Sequence, residues 1–115
     1  MRAYVEETEL TRYVYEQFRH LRNEQEVSLA EVFAVQCKNP HIQRKTFERL
    51  GISPDDPIVR STVRDGIDRF REKVRKRILK EHASELLLNR CSACSKIVAT
   101  PKARQCLWCG FDWHE

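Results

Sequence analysis

The sequence lacks what a membrane or secreted protein would need. No apolar run approaches the roughly 18 residues of a spanning helix, and the opening MRAYVEETELTRYVYEQFRH holds no unbroken apolar stretch of the secretory-signal kind. The expectation is a cytoplasmic protein without membrane contact. Glycine is scarce, three in 115 residues, so no glycine-rich loop is available to cradle a phosphate. His20, His41, His82 and His114 are scattered, with no nucleophile or carboxylate at a recognisable spacing, and the chain reads as non-catalytic. Cysteine is present in an odd number, five, and four of the five fall into tight pairs. That pattern argues against a disulfide framework and for metal ligation by reduced thiols.

The length gives room for about one ordinary domain with a small appendage. Hydrophobic residues make up 41% of the chain and charged ones 33%, which supports a modest core. The net charge of +4 is unevenly spread. Residues 1–40 carry a net −2, residues 41–80 a net +6 and residues 81–115 none, so a polyanionic partner would meet the middle of the chain.

Apolar spacing predicts a mainly α-helical fold. A first helix is expected from Glu6 to Arg22, with Leu10, Val14, Phe18 and Leu21 on one stripe and Tyr13 at its edge. A second is expected to start at Ser28, with Glu31 closing a capping box and Val27 stapling against Val32, and to carry Cys37 as a buried thiol. A third is bracketed by Asn39 as cap, Pro40 in the first turn and Gly51 after the last. Beyond a break at ISPDDP, capped by Ser53 or Asp56, one long basic helix is expected from Pro57 to about Leu88, weakest at Gly66. Val59, Val63, Ile67, Phe70, Val74 and Ile78 form its apolar stripe. Arginines and lysines flank that stripe on both sides, which disfavours a parallel homodimer and implies an acidic partner. That partner is either the glutamates of the first helix or the phosphates of DNA or RNA, unless the charge serves solubility alone. For the second case the candidate contacts are Arg60, Arg64, Arg71, Lys73 and Arg75.

Cys91, Cys94, Cys106 and Cys109 form a C-x2-C-x11-C-x2-C pattern. Two residues inside each pair let both sulfurs face one ion, and Gly110 suits the turn that follows. Four thiolates suit a tetrahedral zinc ion and leave no open position, so the site reads as one structural Zn2+; iron in a similar thiolate site is the competing metal. About 25 residues cannot bury a core sufficient to fold alone, so the metal would supply the folding free energy. Trp108, Phe111 and Trp113 either form a miniature core or stand exposed for base stacking or a protein contact. The domains are therefore set at 1–88, helical, and 89–115, metal-binding.

Two resemblances bear on function. Residues 89–115 resemble the zinc-ribbon family, which implies short β-strands in a hairpin around the metal. More weakly, RLGIS followed by VRSTVRDGIDRFREKVRK, with AEVFAV before it, resembles the helix-turn-helix of bacterial sigma-factor region four over residues 29–78. The family runs straight from the Ser of its turn into the recognition helix, whereas PDDP here inserts roughly two residues. The resemblance implies that Arg60, Ser61 and Arg64 lie in or near a recognition helix and reach DNA. The expectation is a small transcription-associated, nucleic-acid-binding zinc protein. The alternative is a protein–protein adaptor that grips its partner through the cysteine segment and exposed aromatics.

Overall fold

The computed structural model describes residues 3–114. Its regular elements are helices: α1 (Glu6–Gln17), α2 (Glu24–Val35), α3 (Pro40–Leu50), α4 (Pro57–Asp65) and α5 (Ile67–Glu81), with single 3-10 turns at Arg19–Leu21 and Ala83–Glu85. The chain forms two compact units. Arg22–Val74 makes one; the residues up to Leu21 together with those from Arg75 onward make the other.

In the continuous unit, α3 and α4 each pack against α2. Leu29, Val32, Val59, Phe70 and Val74 are buried, and the Phe33 ring meets Phe70 with centroids 5.4 Å apart. Burying such side chains is worth about 1.5–3 kcal/mol each. α3 begins and ends where the sequence places it. The Asn39 side chain accepts from the Ile42 N–H, Pro40 opens the helix, and Gly51 closes it at φ 66°. α2 starts earlier than expected. Asn23, not Ser28, is the N-cap, and its capping box closes on Glu26. α2 ends at Val35, so Cys37 lies in the turn beyond it and is exposed, not buried.

The expected long helix is two helices. Gly66 adopts φ 90° and ψ 164°, a conformation that only glycine takes readily, and donates to the carbonyls of Thr62 and Val63 to close α4. The stripe divides there: Val59, Phe70, Val74 and Ile78 are buried, whereas Ile67 is exposed. α4 is capped by Asp56, whose carboxylate accepts from the Ile58 N–H. α5 stops at Glu81, short of the expected Leu88.

In the discontinuous unit α1 is also shorter than expected. Phe18 leaves helical geometry at φ −123° and ψ 40°, and its side chain is buried with Tyr13, Val14, Tyr15 and Ile78. α1 has no side-chain cap; Glu6, Glu7 and Glu9 complement the helix dipole in its first turn. The end of α5 is tied to this N-terminal segment. Arg77 donates to the Leu21 carbonyl at 2.7 Å, and Arg75 donates from Nε to Thr11 Oγ1 at 3.2 Å.

Two substitutions check these assignments by thermal melting followed with circular dichroism. Asn23→Ala is expected to cost about 0.5–2 kcal/mol through the lost cap, with Ser28→Ala near neutral. Gly66→Ala is expected to cost about 1–3 kcal/mol through backbone strain alone, since a Cβ there meets nothing within 4 Å.

Candidate metal centre

The cysteine segment is built from two turns with the same backbone. In the first, the Ser95 N–H donates to the Cys91 carbonyl and the Cys91 N–H to the Lys96 carbonyl. In the second, Gly110 donates to Cys106 and Cys106 to Phe111 in the same way. Each turn is flanked by one isolated antiparallel bridge, Arg90 to Ile97 and Gln105 to Asp112. The residue after each second cysteine has positive φ, 65° at Ser95 and 80° at Gly110. Gly110 matches its expected role. Ser95 is the one such non-glycine residue among those described, a position that costs an L-residue roughly 1–2 kcal/mol.

The two turns bring four sulfurs together. Cys91 Sγ lies 3.6 Å from Cys109 Sγ, and Cys94 Sγ lies 3.7 Å from Cys106 Sγ. All four sulfurs lie within 4.8 Å of one another. A disulfide needs sulfurs about 2.05 Å apart, so these are reduced thiols. A regular tetrahedron with metal–sulfur bonds of about 2.3 Å has edges of about 3.8 Å, close to the two shortest separations. The donor set therefore fits a tetrahedral metal ion.

The local electrostatics point the same way. Burial pushes the Cys106 thiol up, but the backbone N–H groups of Cys109 and Trp108, with the Cys94 side chain, bring it down to about 7. The Phe111 N–H favours a thiolate at Cys109, yet desolvation and the crowding of Cys91, Cys94 and Cys106 push it up to about 11. Four sulfurs this close cannot all be thiolates without a cation between them. Cys91 and Cys106 are buried with Val98 in a small cluster, against which Cys94, Ala103, Trp108 and Trp113 pack.

α1 and Tyr4 before it hold this segment in place. The Tyr13 hydroxyl donates to the Leu87 carbonyl at 2.5 Å and accepts from the Asn89 N–H at 3.1 Å. The Tyr4 hydroxyl accepts from the Ile97 N–H at 3.0 Å and donates to Glu6. Arg90 forks onto both oxygens of Glu6 at 3.0 and 2.9 Å. Those bonds hold the Glu6 carboxyl down at about 2. The two side chains are 38% and 46% exposed, so screening limits the pair to about 1 kcal/mol at most. Its contribution is present above pH 4.5, the ordinary value, and is lost as pH falls toward about 2.

No strand forms among the described residues. Where a hairpin was expected, the Asn89 side-chain amide takes the carbonyls of Thr100, Pro101 and Ala103. His114 bonds to Asp112, and the sulfur cluster holds the four cysteines only. Trp108 meets the Tyr4 ring edge-on at 5.0 Å, with the Lys96 ammonium 5.4 Å from Tyr4 and 6.0 Å from Trp108. Trp113 stacks with Phe111 at 5.8 Å, and Phe111 is exposed.

Of the basic candidates, Arg60, Arg64, Arg71 and Lys73 are exposed. Arg64 and Lys73 share one carboxylate, Asp65, at 3.5 and 3.8 Å. Arg75 is buried, and its Nη2 has no hydrogen-bond partner, so it does not belong to a surface that phosphates can reach. The helical wheel placed it on a shoulder of the stripe, where α1 was not part of the reckoning. Sequence reasoning missed Tyr4, Tyr13, Asn89 and Ser95, whose roles arise only from long-range or backbone geometry. Compared with models of known protein families, with curated proteins and with solved structures, the chain matches none.

The centre is expected to bind one tetrahedral ion per chain. Loading with Co2+ should give the intense visible absorption of a tetrahedral thiolate site, and Cys106→Ser should abolish it. Ser95→Gly should raise the thermal midpoint of the metal-loaded chain by relieving the left-handed backbone, whereas Gly110→Ala should lower it.

Proposed function

We propose that this is a non-catalytic zinc protein that binds nucleic acid through the exposed basic face of its helical unit. In this reading Cys91, Cys94, Cys106 and Cys109 hold one structural Zn2+ in a ribbon-like segment. Its four thiolates close the coordination sphere, so the metal folds the segment and takes no part in chemistry. The observation that carries the nucleic-acid reading is the placement of Arg60 and Arg64 on successive turns of α4, both exposed, Arg64 at 77% of its side chain. Lys73, at 69%, adds a third cation around the Gly66 bend. Two cations share Asp65, so positive charge remains for phosphates.

In this reading α3, the turn at 51–56 and α4 serve as a helix-turn-helix, with α4 as the recognition helix and Arg60, Ser61 and Arg64 as its contacts. That turn is longer than the usual three to four residues. Asp56 is occupied as the α4 cap, which leaves Asp55 as the acidic group of the turn. A transcription-associated role follows from this reading. The adaptor reading is favoured by a different observation: Leu107, between buried Cys106 and half-buried Trp108 in the second cysteine turn, is 73% exposed.

Two measurements test the proposal. Elemental analysis of the purified chain should find one zinc per chain; iron in its place would change the metal assignment but not the fold. Duplex DNA binding, followed by fluorescence anisotropy between about 50 and 200 mM salt, should weaken steeply. Each of Arg60→Ala, Arg64→Ala and Lys73→Ala should lower the slope of log affinity against log salt by about 0.9. Absence of binding at the lower salt overturns the nucleic-acid reading in favour of the adaptor.

A further inference from the structure

Asn89, the loop between the two cysteine turns and Trp113 enclose an open pocket of about 460 Å3, lined by Asn89, Pro101, Lys102, Ala103, Arg104 and Trp113. It contains an aromatic ring, a proline and two cations, and no carboxylate. Its frame is fixed. The Asn89 amide grips three carbonyls of the loop at 2.8 to 3.3 Å, and the Trp113 N–H donates to the Arg104 carbonyl at 2.9 Å. Trp113 is half-buried and already stacked with Phe111, an offset pair whose planes are 27° apart. Lys102 and Arg104 are exposed, and among the described residues neither has an ion-pair partner.

From this arrangement we infer that the pocket is a binding platform for single-stranded nucleic acid. A base extends the Phe111–Trp113 stack while Lys102 and Arg104 take the adjoining phosphates. The chemistry asks for a ligand that is flat, aromatic and anionic at once. Single strands present bases with free faces beside phosphates, whereas a duplex keeps its bases stacked inside. An acidic peptide would use the two cations but not the aromatic pair. The inference extends the nucleic-acid reading above to a second surface, and it can stand or fall apart from the helical face.

The test uses the full metal-loaded chain and ten-residue oligonucleotides, deoxythymidine and uridine, beside a duplex of mixed sequence. A Trp108→Phe background leaves Trp113 as the sole tryptophan. Both single strands should quench its fluorescence, and the stronger of the two identifies DNA or RNA as the ligand. Trp113→Ala should weaken single-strand binding roughly 5- to 150-fold, with duplex affinity unchanged. Because Trp113 also packs on the sulfur cluster, Lys102→Ala with Arg104→Ala provides a variant that leaves the fold intact, checked by metal content. It should weaken single-strand binding and lower its salt slope.

If single-strand affinity ignores these changes but falls with Arg60→Ala and Arg64→Ala, the platform is overturned and the helical reading stands. If it falls with the platform variants but ignores Arg60 and Arg64, the platform stands and the helical face does not. An acidic peptide that binds as tightly as the oligonucleotides and without quenching overturns the platform in favour of a protein partner. No binding of any strand at about 50 mM salt overturns both.

Discussion

Four sulfurs confined within 4.8 Å of one another set the terms for the second half of the discontinuous unit. Without a cation they can exist together only as thiols or partly ionised thiols. With one, they become the anchor of a segment whose own buried apolar residues are few: Val98 beside Cys91 and Cys106, with two half-buried tryptophans around them. The backbone serves that anchor directly. Each turn is closed by the same pair of main-chain bonds, and the residue that completes it takes a left-handed conformation even where the sequence offers serine. The strain at Ser95 is tolerated because both turns must present their sulfurs with the same geometry.

The polar anchors around this centre divide the labour. Two tyrosine hydroxyls each satisfy a backbone donor of the cysteine segment, and each also donates onward, Tyr13 to a carbonyl and Tyr4 to Glu6. A hydroxyl that both accepts and donates leaves no buried polar atom stranded, which is why tyrosine suits these positions better than phenylalanine. In the continuous unit the corresponding organiser is a glycine. By ending α4, Gly66 leaves Arg64 and Lys73 beside a single aspartate, and so concentrates charge that one unbroken helix would have spread along its length.

Features set by local chemistry were legible in the sequence. The cysteine spacing named the four sulfurs that converge, and Asn39, Pro40 and Gly51 bracketed α3 because capping depends on near neighbours. Where two local signals competed, the reading failed. Asn23 with Glu26 and Ser28 with Glu31 both have capping-box spacing, and the structure forms the earlier one, which adds a turn to the start of α2. Gly66 was seen as a weak point, yet the spacing of apolar residues continued past it, so the break was outweighed. Arg75 was misplaced for a different reason. A helical wheel knows the helix's own stripe but not the Thr11 hydroxyl that another helix brings to its shoulder. The cysteine segment is instead held by turns and by Asn89, whose bonds to three carbonyls no periodicity reveals.

The two units differ in how their contacts are distributed along the chain. Residues 22–74 meet partners close in sequence, so this unit can assemble as soon as it leaves the ribosome. The other cannot. Tyr4 waits for a partner 93 residues later, and Glu6 for one 84 residues later. During synthesis α1 therefore emerges well before its partners, which come first from the end of α5 and only then from the cysteine turns. The contacts that complete the unit are thus among the last that synthesis can supply.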